Sequence, residues 1–469
     1  MQLSIHGAAQ RTTGSCHLLR SGGTNVLIDC GGYQEGKTSD ELNRQDFGFD
    51  PREIDYVLGT HKHYDHCARE PLLVQKGFNG QFITVEPGVD LDELVLMDSA
   101  DIQEKRAEKR QRMDRQAGIF KEDEYYRSQI LYDKWDVHRT LAYYGKPAKY
   151  NTPIELSDSI RVTFRDAGHI LGSAFLEFEL DEPGRNKKII FSGDLGNLNR
   201  PIVNDPASPT RADYVVEETT YGDRNHKNIQ DSILELYGVI TDTFNRNGNV
   251  YIPCFSIERS PEILFFLRKG IEDGFLPKDI KIFLDSPMAI KAIEIYKKYP
   301  QYFDSEIKTY TSAGLDPFLF PNVTLAGTKE ESKKINDIKS GAVILSASGM
   351  GEGGRVVHHI ARNISKPEHS FVIVSFAAKG TISRKLIDGE QFINLFDKDI
   401  PVRAQVHTIN GFSAHADQTG LLKWHRQTGK PDSTFLTHGE LPAMNAMAEL
   451  LRARGCHVEI PELHQEFNL

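Results

Sequence analysis

The chain has 469 residues, of which 39% are hydrophobic and 26% charged, and its formal net charge is −10. That length exceeds what one core usually covers, so two domains are expected, and the composition is that of a globular chain. The longest apolar runs are too short to span a bilayer, and the opening Met1-Gln2-Leu3-Ser4-Ile5-His6 has neither a basic nor an apolar leader region, which argues against a membrane-spanning or exported class and points to the cytoplasm. Five cysteines, none in a C-x-x-C pair, read as reduced structural thiols. The acidic balance argues against a general nucleic-acid surface, so any such binding must come from a local groove or from metal ions.

In chain order, the first ~90 residues read as short strands broken by turns. Val26-Leu27-Ile28-Asp29 is a strand running into Cys30-Gly31-Gly32, and Ile54-Asp55-Tyr56-Val57-Leu58 delivers the chain to Thr60-His61. Residues 90–145 are charged and poor in Gly and Pro. Within them 104–115 is predicted to be an exposed helix with six basic residues. Strands return over 160–225, where Lys188-Ile189-Ile190-Phe191 leads to Ser192-Gly193-Asp194 and Tyr214-Val215-Val216 to Glu217-Glu218. From ~230 to 400 helical patterns alternate with short apolar runs, which predicts an α/β unit with a largely parallel sheet. The last ~65 residues carry strand ends with histidines.

The central signal is His61-Lys62-His63-Tyr64-Asp65-His66, three histidines and an aspartate in six residues. Burying so many titratable groups without a cation would be costly. A strand entering a tight loop turns His61 and His63 to one side and swings Asp65 and His66 to a second point. Imidazole and carboxylate suit Zn²⁺, with Mn²⁺ and Fe as competitors. Further candidates stand at comparable places: His169 in Ala167-Gly168-His169, Asp194 in Gly193-Asp194, and His438 in Thr437-His438-Gly439. Asp29 is the candidate to orient a ligand from behind.

H-x-H-x-D-H followed by Gly-His and Gly-Asp resembles the metallo-β-lactamase superfamily, an αββα sandwich with its metals at strand ends. The resemblance implies His61, His63 and His169 around one zinc, Asp65, His66 and His438 around a second, and Asp194 bridging. Later motifs narrow it. Glu218-Thr219-Thr220-Tyr221-Gly222-Asp223-Arg224, Phe412-Ser413-Ala414-His415 and Thr437-His438-Gly439-Glu440 look like successive motifs of the β-CASP family, and Leu284-Asp285-Ser286-Pro287 and the glycine-rich 348–355 fit between them. The chain is thus similar to the nuclease subunit of the cleavage and polyadenylation specificity factor and its short bacterial and archaeal relatives.

The expected fold is α/β: a metallo-β-lactamase sandwich in two parts, 1–225 and 401–469, with a β-CASP domain inserted at 226–400. The expected function is a ribonuclease acting on single-stranded RNA in processing or decay, since His438 is the residue type that RNA-cutting members carry. Two metals ~3.5–4 Å apart would clamp the phosphodiester. Asp65 would orient the attacking water, and His415, tuned by Glu218, would protonate the leaving oxygen. RNA is expected to enter between the two domains. Ser413, Arg259, Arg355 and Lys379 are the candidate phosphate contacts. His358 and His359 are expected to be helix residues facing different ways, and Trp135 and Trp424 to be packing residues. The basic helix reads first as a solvated face, and in its sharper reading as an RNA-contacting lid. A homodimer follows by analogy. The alternatives are a DNA nuclease, a small-ester hydrolase of the same fold, and a non-catalytic RNA-binding subunit.

Overall fold

A computed structural model describes residues 1–34, 38–375, 377 and 380–469. Among these, the chain divides into two compact units. The first comprises 1–198, 205–225 and 415–469, and the second 199–204 and 226–414.

The first unit is the αββα sandwich. One six-stranded sheet runs in the order Gln465–Asn468, Gln2–Ile5, His17–Ser21, Thr24–Ile28, Tyr56–Leu58, Gln81–Ile83. The other has seven strands, in the order Val458–Glu459, Ser433–Thr437, Tyr214–Glu218, Arg185–Phe191, Ala174–Glu182, Ile160–Asp166, Pro153–Ser157. Alternation places the strands. In Ile160–Asp166, residues Ile160, Val162 and Phe164 are buried while Arg161 faces out, and Phe164 lies opposite Leu176. The sheets meet face to face, with His17 stacked on Phe191 at 6.2 Å and Phe435 against Phe467 at 4.7 Å. Helices Gln418–Gln427 and Leu441–Arg452 cover the outer face of the larger sheet through Leu421, Trp424, Met444 and Met447, which pack on Phe175, Ile190 and Val215. Trp424 is therefore a packing residue, as expected. Trp135 is not: it stands 69% exposed.

The second unit holds a six-stranded, all-parallel sheet in the order Val323–Leu325, Lys281–Asp285, Ala342–Ser346, Val250–Pro253, Ser370–Ile373, Gln405–Thr408. Its strands Ala342–Ser346, Val250–Pro253 and Ser370–Ile373 are buried at every position, as a parallel sheet covered on both faces requires. Ser286 caps the helix Pro287–Lys298 and Asn228 the helix Ile229–Asn245. Because Gln405–Thr408 joins this sheet as its edge, residues 401–414 fall with the second unit rather than with the outer parts. His359 is buried on helix Val356–Asn363, whereas His358 stacks on Phe396 at 5.1 Å, so the adjacent pair does face different ways.

No described helix is long and apolar enough to cross a membrane.

Candidate metal centre

The carboxyl ends of the first unit's strands deliver the site. Asp29 follows Thr24–Ile28 with φ +59°. One of its oxygens accepts from the Thr60 amide at 2.7 Å. The other accepts from Thr60 Oγ1 and stands 2.8 Å from His66 Nδ1. That last contact turns the His66 ring so that Nε2 faces the centre. Gly31 lets the loop close, since a Cβ there would stand 1.7 Å from the Asp65 carbonyl oxygen. His438 follows Ser433–Thr437 with φ +49°, its amide donating to the Ala8 carbonyl at 2.9 Å. Thr220 Oγ1 stands 3.1 Å from His438 Nδ1, which leaves Nε2 free to face inward.

Two donor sets result. In the first, His63 Nδ1 lies 3.1 Å from His61 Nε2 and 3.2 Å from His169 Nε2, while Asp194 Oδ2 is 3.5 and 3.7 Å from the latter two nitrogens. In the second, His66 Nε2 is 3.2 Å from His438 Nε2 and 3.3 Å from Asp194 Oδ1, and His438 Nε2 is 3.4 Å from Asp65 Oδ2. Atoms held about 2.0–2.1 Å from a tetrahedral ion stand about 3.3 Å apart. Both sets have that spacing. Two imidazole nitrogens facing each other share at most one proton, and Asp194 Oδ1 is buried with no hydrogen-bond donor among the described residues. The residues therefore fit divalent cations better than they fit one another. Burial pushes the Asp194 carboxyl up, but the imidazoles of His438, His66, His415 and His61 outweigh it and hold the group well below the usual carboxylate range.

Glu218 ends Tyr214–Glu218, buried, and accepts the Leu195 amide at 2.7 Å. Both its oxygens stand 3.2 Å from His415 Nδ1, which is itself 3.9 Å from Asp194 Oδ2. His415 is pinned by a bridge to Gly196 and by the Ala416 amide, which donates to the Leu195 carbonyl at 2.7 Å. Gly196 permits the approach, because a Cβ there would stand 1.8 Å from the Gly168 carbonyl oxygen.

One feature escaped the sequence reading. Lys62, between two donor histidines, is 1% exposed. Its ammonium is 2.6 Å from Glu70 Oε1 and 3.4 Å from Asp92 Oδ1, and Tyr144 donates to Glu70 at 3.1 Å and to Asp92 at 2.8 Å. This buried network ties the histidine loop to the helices Glu70–Gln75 and Glu86–Gln116. The available signal was a lysine inside a run whose neighbours all need burial.

The candidate phosphate contacts scatter. Arg259 is buried, held by Glu262 and by Glu258 at 2.7 Å. Arg355 donates to Asp285 at 2.7 Å and to the carbonyls of Ala326 and Gly327. The Ser413 carbonyl accepts from Arg200 at 2.8 Å. Lys379 lies outside the described residues.

Comparison with known proteins agrees with this architecture. The metallo-beta-lactamase superfamily profile matches residues 9–238, the Beta-Casp domain profile 261–386, and the profile of a Zn-dependent metallo-hydrolase RNA specificity domain 399–461. The chain is 34% identical over 460 residues to Ribonuclease TTHA0252 of Thermus thermophilus, covering 98% of both chains. It is 29% identical over 454 residues to Transcription termination factor FttA of Methanosarcina mazei, covering 94% of this chain and 67% of that protein. A crystal structure of a protein of unknown function from Enterococcus faecalis shares the fold, with a TM-score of 0.54 at 12% identity over 100% of this chain and 99% of that one. The family implies a divalent metal, and the two donor sets fit one. The chain belongs to the β-CASP family of the metallo-β-lactamase superfamily.

Proposed function

We propose that this protein is a two-zinc ribonuclease that hydrolyses single-stranded RNA. The observation that carries the reading is Asp194, whose two oxygens face two separate donor sets while His415 stands 3.9 Å away on Glu218. A small-ester hydrolase needs neither the second unit nor the His415–Glu218 pair. The profile matched at 399–461 and the ribonuclease name of the Thermus relative favour RNA.

His61, His63 and His169 would hold one zinc and Asp65, His66 and His438 the other, with Asp194 shared and Asp29 fixing His66. Mn²⁺ and Fe are the competing ions. When bound, the pair supplies Lewis-acid activation of water and neutralises phosphate charge. The chain's own residues do the rest. Asp65, 18% exposed at its side chain, presents a carboxylate that orients the attacking water and takes up its proton. Glu218 accepts the Nδ1–H of His415, and in the imidazolium form of that ring Nε2 carries the second proton, which passes to the leaving oxygen and leaves the neutral Nδ1–H tautomer. Glu218, fixed by the Leu195 amide, sets that tautomer. Ser413 and Lys379 remain phosphate contacts in this reading, while Arg259 and Arg355 are assigned to holding the second unit together. A cytoplasmic homodimer completes it, since five free cysteines suit a reducing compartment and the dimer follows from family analogy alone.

The test is cleavage of end-labelled single-stranded RNA beside the matching DNA, with a chelator control and Asp65→Ala. Metal-dependent cutting of RNA that vanishes in the variant is the expected result. Absence of RNA cleavage by metal-loaded protein would overturn the reading.

A further inference from the structure

The long helix Glu86–Gln116 runs from the metal-binding loop into solvent. Its inner end carries Asp92, which faces Lys62 between the donor histidines. Arg112 lies 20 residues further along, about 30 Å away at 1.5 Å per residue. Beyond Ala100 the helix buries little except Asp114, which accepts from Tyr126 at 3.1 Å, and it leans on helix Lys134–Leu141, where Lys134 meets Glu104 at 3.0 Å.

At 3.6 residues per turn the side chains sort cleanly. Lys105, Lys109 and Arg112 form one outward line, Arg106 and Arg110 the next, and Arg115 flanks them. Two acids share that side among the described residues, Glu108 and Asp101, the latter paired with Lys105, while Glu104 and Asp114 turn to Lys134 and Tyr126. Six cations against two anions, on a chain whose net charge is −10, is a segregated face. Lys105 meets Asp101, Arg110 the buried Asp114 at 3.3 Å and Arg115 the exposed Asp123 at 3.5 Å, whereas Arg106, Lys109 and Arg112 have no ion pair among the described residues. Exposed aromatic rings accompany the charge: Phe120 at 82%, Tyr125 at 39% with Lys121 3.7 Å over its ring, and Trp135 at 69%. Folding alone gives no reason to leave Phe120 and Trp135 in water. Cations that track a backbone, interleaved with rings that accept stacked bases, are what single-stranded nucleic acid binds.

We propose that this arm, centred on Lys109, Arg112 and Phe120, is an RNA-binding surface remote from the metal centre, which holds a stretch of the single-stranded substrate some 30 Å of helix from the bond being cut. The inference rests on the ribonuclease reading for its choice of polyanion. The outward cations without an ion pair favour a continuous polyanion such as RNA over a second copy of this chain, whose acids would have to match their spacing.

The experiment is fluorescence anisotropy of labelled single-stranded RNA in EDTA, so that binding is read without cleavage, on the full chain, on Lys109→Glu/Arg112→Glu, on Phe120→Ala, and on a control, Lys423→Glu/Lys430→Glu, with the same charge change on an exposed surface elsewhere. For a 20-nucleotide RNA the arm double variant should bind about tenfold more weakly, with its log–log salt slope shallower by about 1.4, the value for two lost phosphate contacts on a single strand. Phe120→Ala should weaken binding about fivefold with the salt slope unchanged. A 4-nucleotide RNA should not distinguish the variants. Equal binding by wild type and arm variant, an equal loss in the control, or a wild type that binds no RNA would overturn the arm. So would sedimentation showing that the arm variant has only dissociated a dimer, with RNA affinity unchanged. Arm-dependent binding by a protein that cuts no RNA when metal-loaded would overturn the nuclease reading and leave the arm standing.

Discussion

Asp194 and Asp285 are both buried carboxylates at strand ends, each surrounded by histidine and other polar groups, yet their surroundings obey different rules. Around Asp285 every donor meets an acceptor: His359 Nε2 at 2.6 Å, Ser332 Oγ at 2.7 Å and Arg355 at 2.7 Å. Around Asp194 the imidazole nitrogens face one another and one carboxylate oxygen accepts no hydrogen bond among the described residues. A satisfied cluster is a structural rivet, and one whose lone pairs converge is built for a cation. Composition alone does not separate the two, because both are histidine and aspartate under a sheet edge. The direction of the lone pairs separates them.

The sharpest way to break the contrast is Asp194→Asn. We expect RNA cleavage to fall by about a thousandfold or more, since removing one group that stabilises transition-state charge costs about 10²–10³ and this carboxylate serves two positions. Bound metal, read by elemental analysis, should fall with it. His415→Ala should lower kcat by about 10²–10⁴ with metal content unchanged, which separates proton delivery from metal holding.

In the other cluster the loss should appear as stability and leave bound metal intact. Asp285→Asn strands Arg355 and should cost about 3 kcal/mol in denaturant unfolding. Burial alone would raise the Asp285 carboxyl, but hydrogen bonds from His359, Ser332 and Arg355 outweigh it and hold the group below its ordinary value of 3.8. The folded state thus keeps Asp285 ionised where the unfolded chain takes up a proton. Its stabilisation is complete above pH 3.8 and is lost as pH falls through the lower folded value, so Asp285→Asn should lose less stability than wild type across that acid window. The smallest effect is expected from Tyr144→Phe, about 1 kcal/mol for a removed hydroxyl donor beside Lys62, read as a shift in the thermal midpoint.

The legible parts were those that local chain chemistry carries. The run from His61 to His66 announces itself because its donors are neighbours, and the apolar strands 342–345 and 371–374 announce a parallel sheet because both faces are covered. His169, Asp194 and His438 are single residues at strand ends, and only the family pattern joined them to the run. The Lys62 network was invisible because its partners at 70, 92 and 144 share no period with it. Gln405–Thr408 looks the same whichever sheet it joins, so only the partner strand Ser370–Ile373 reveals where residues 401–414 belong. The residue type of Trp135 suggests packing, but type does not say which face of a short helix meets a neighbour.

The donor atoms around Asp194 come from residues 61 through 438 of a single chain. On the proposed assignment, the first donor set is complete in the chain once Asp194 has been made, whereas the second waits for His438 and the proposed proton donor for His415. A nascent chain that has not yet reached His438 would, on that assignment, lack a proposed ligand of the second set. With that assignment, the order in which the ligands are spelled along the chain would act as a timer, keeping the enzyme inert beside its own message until translation is all but finished.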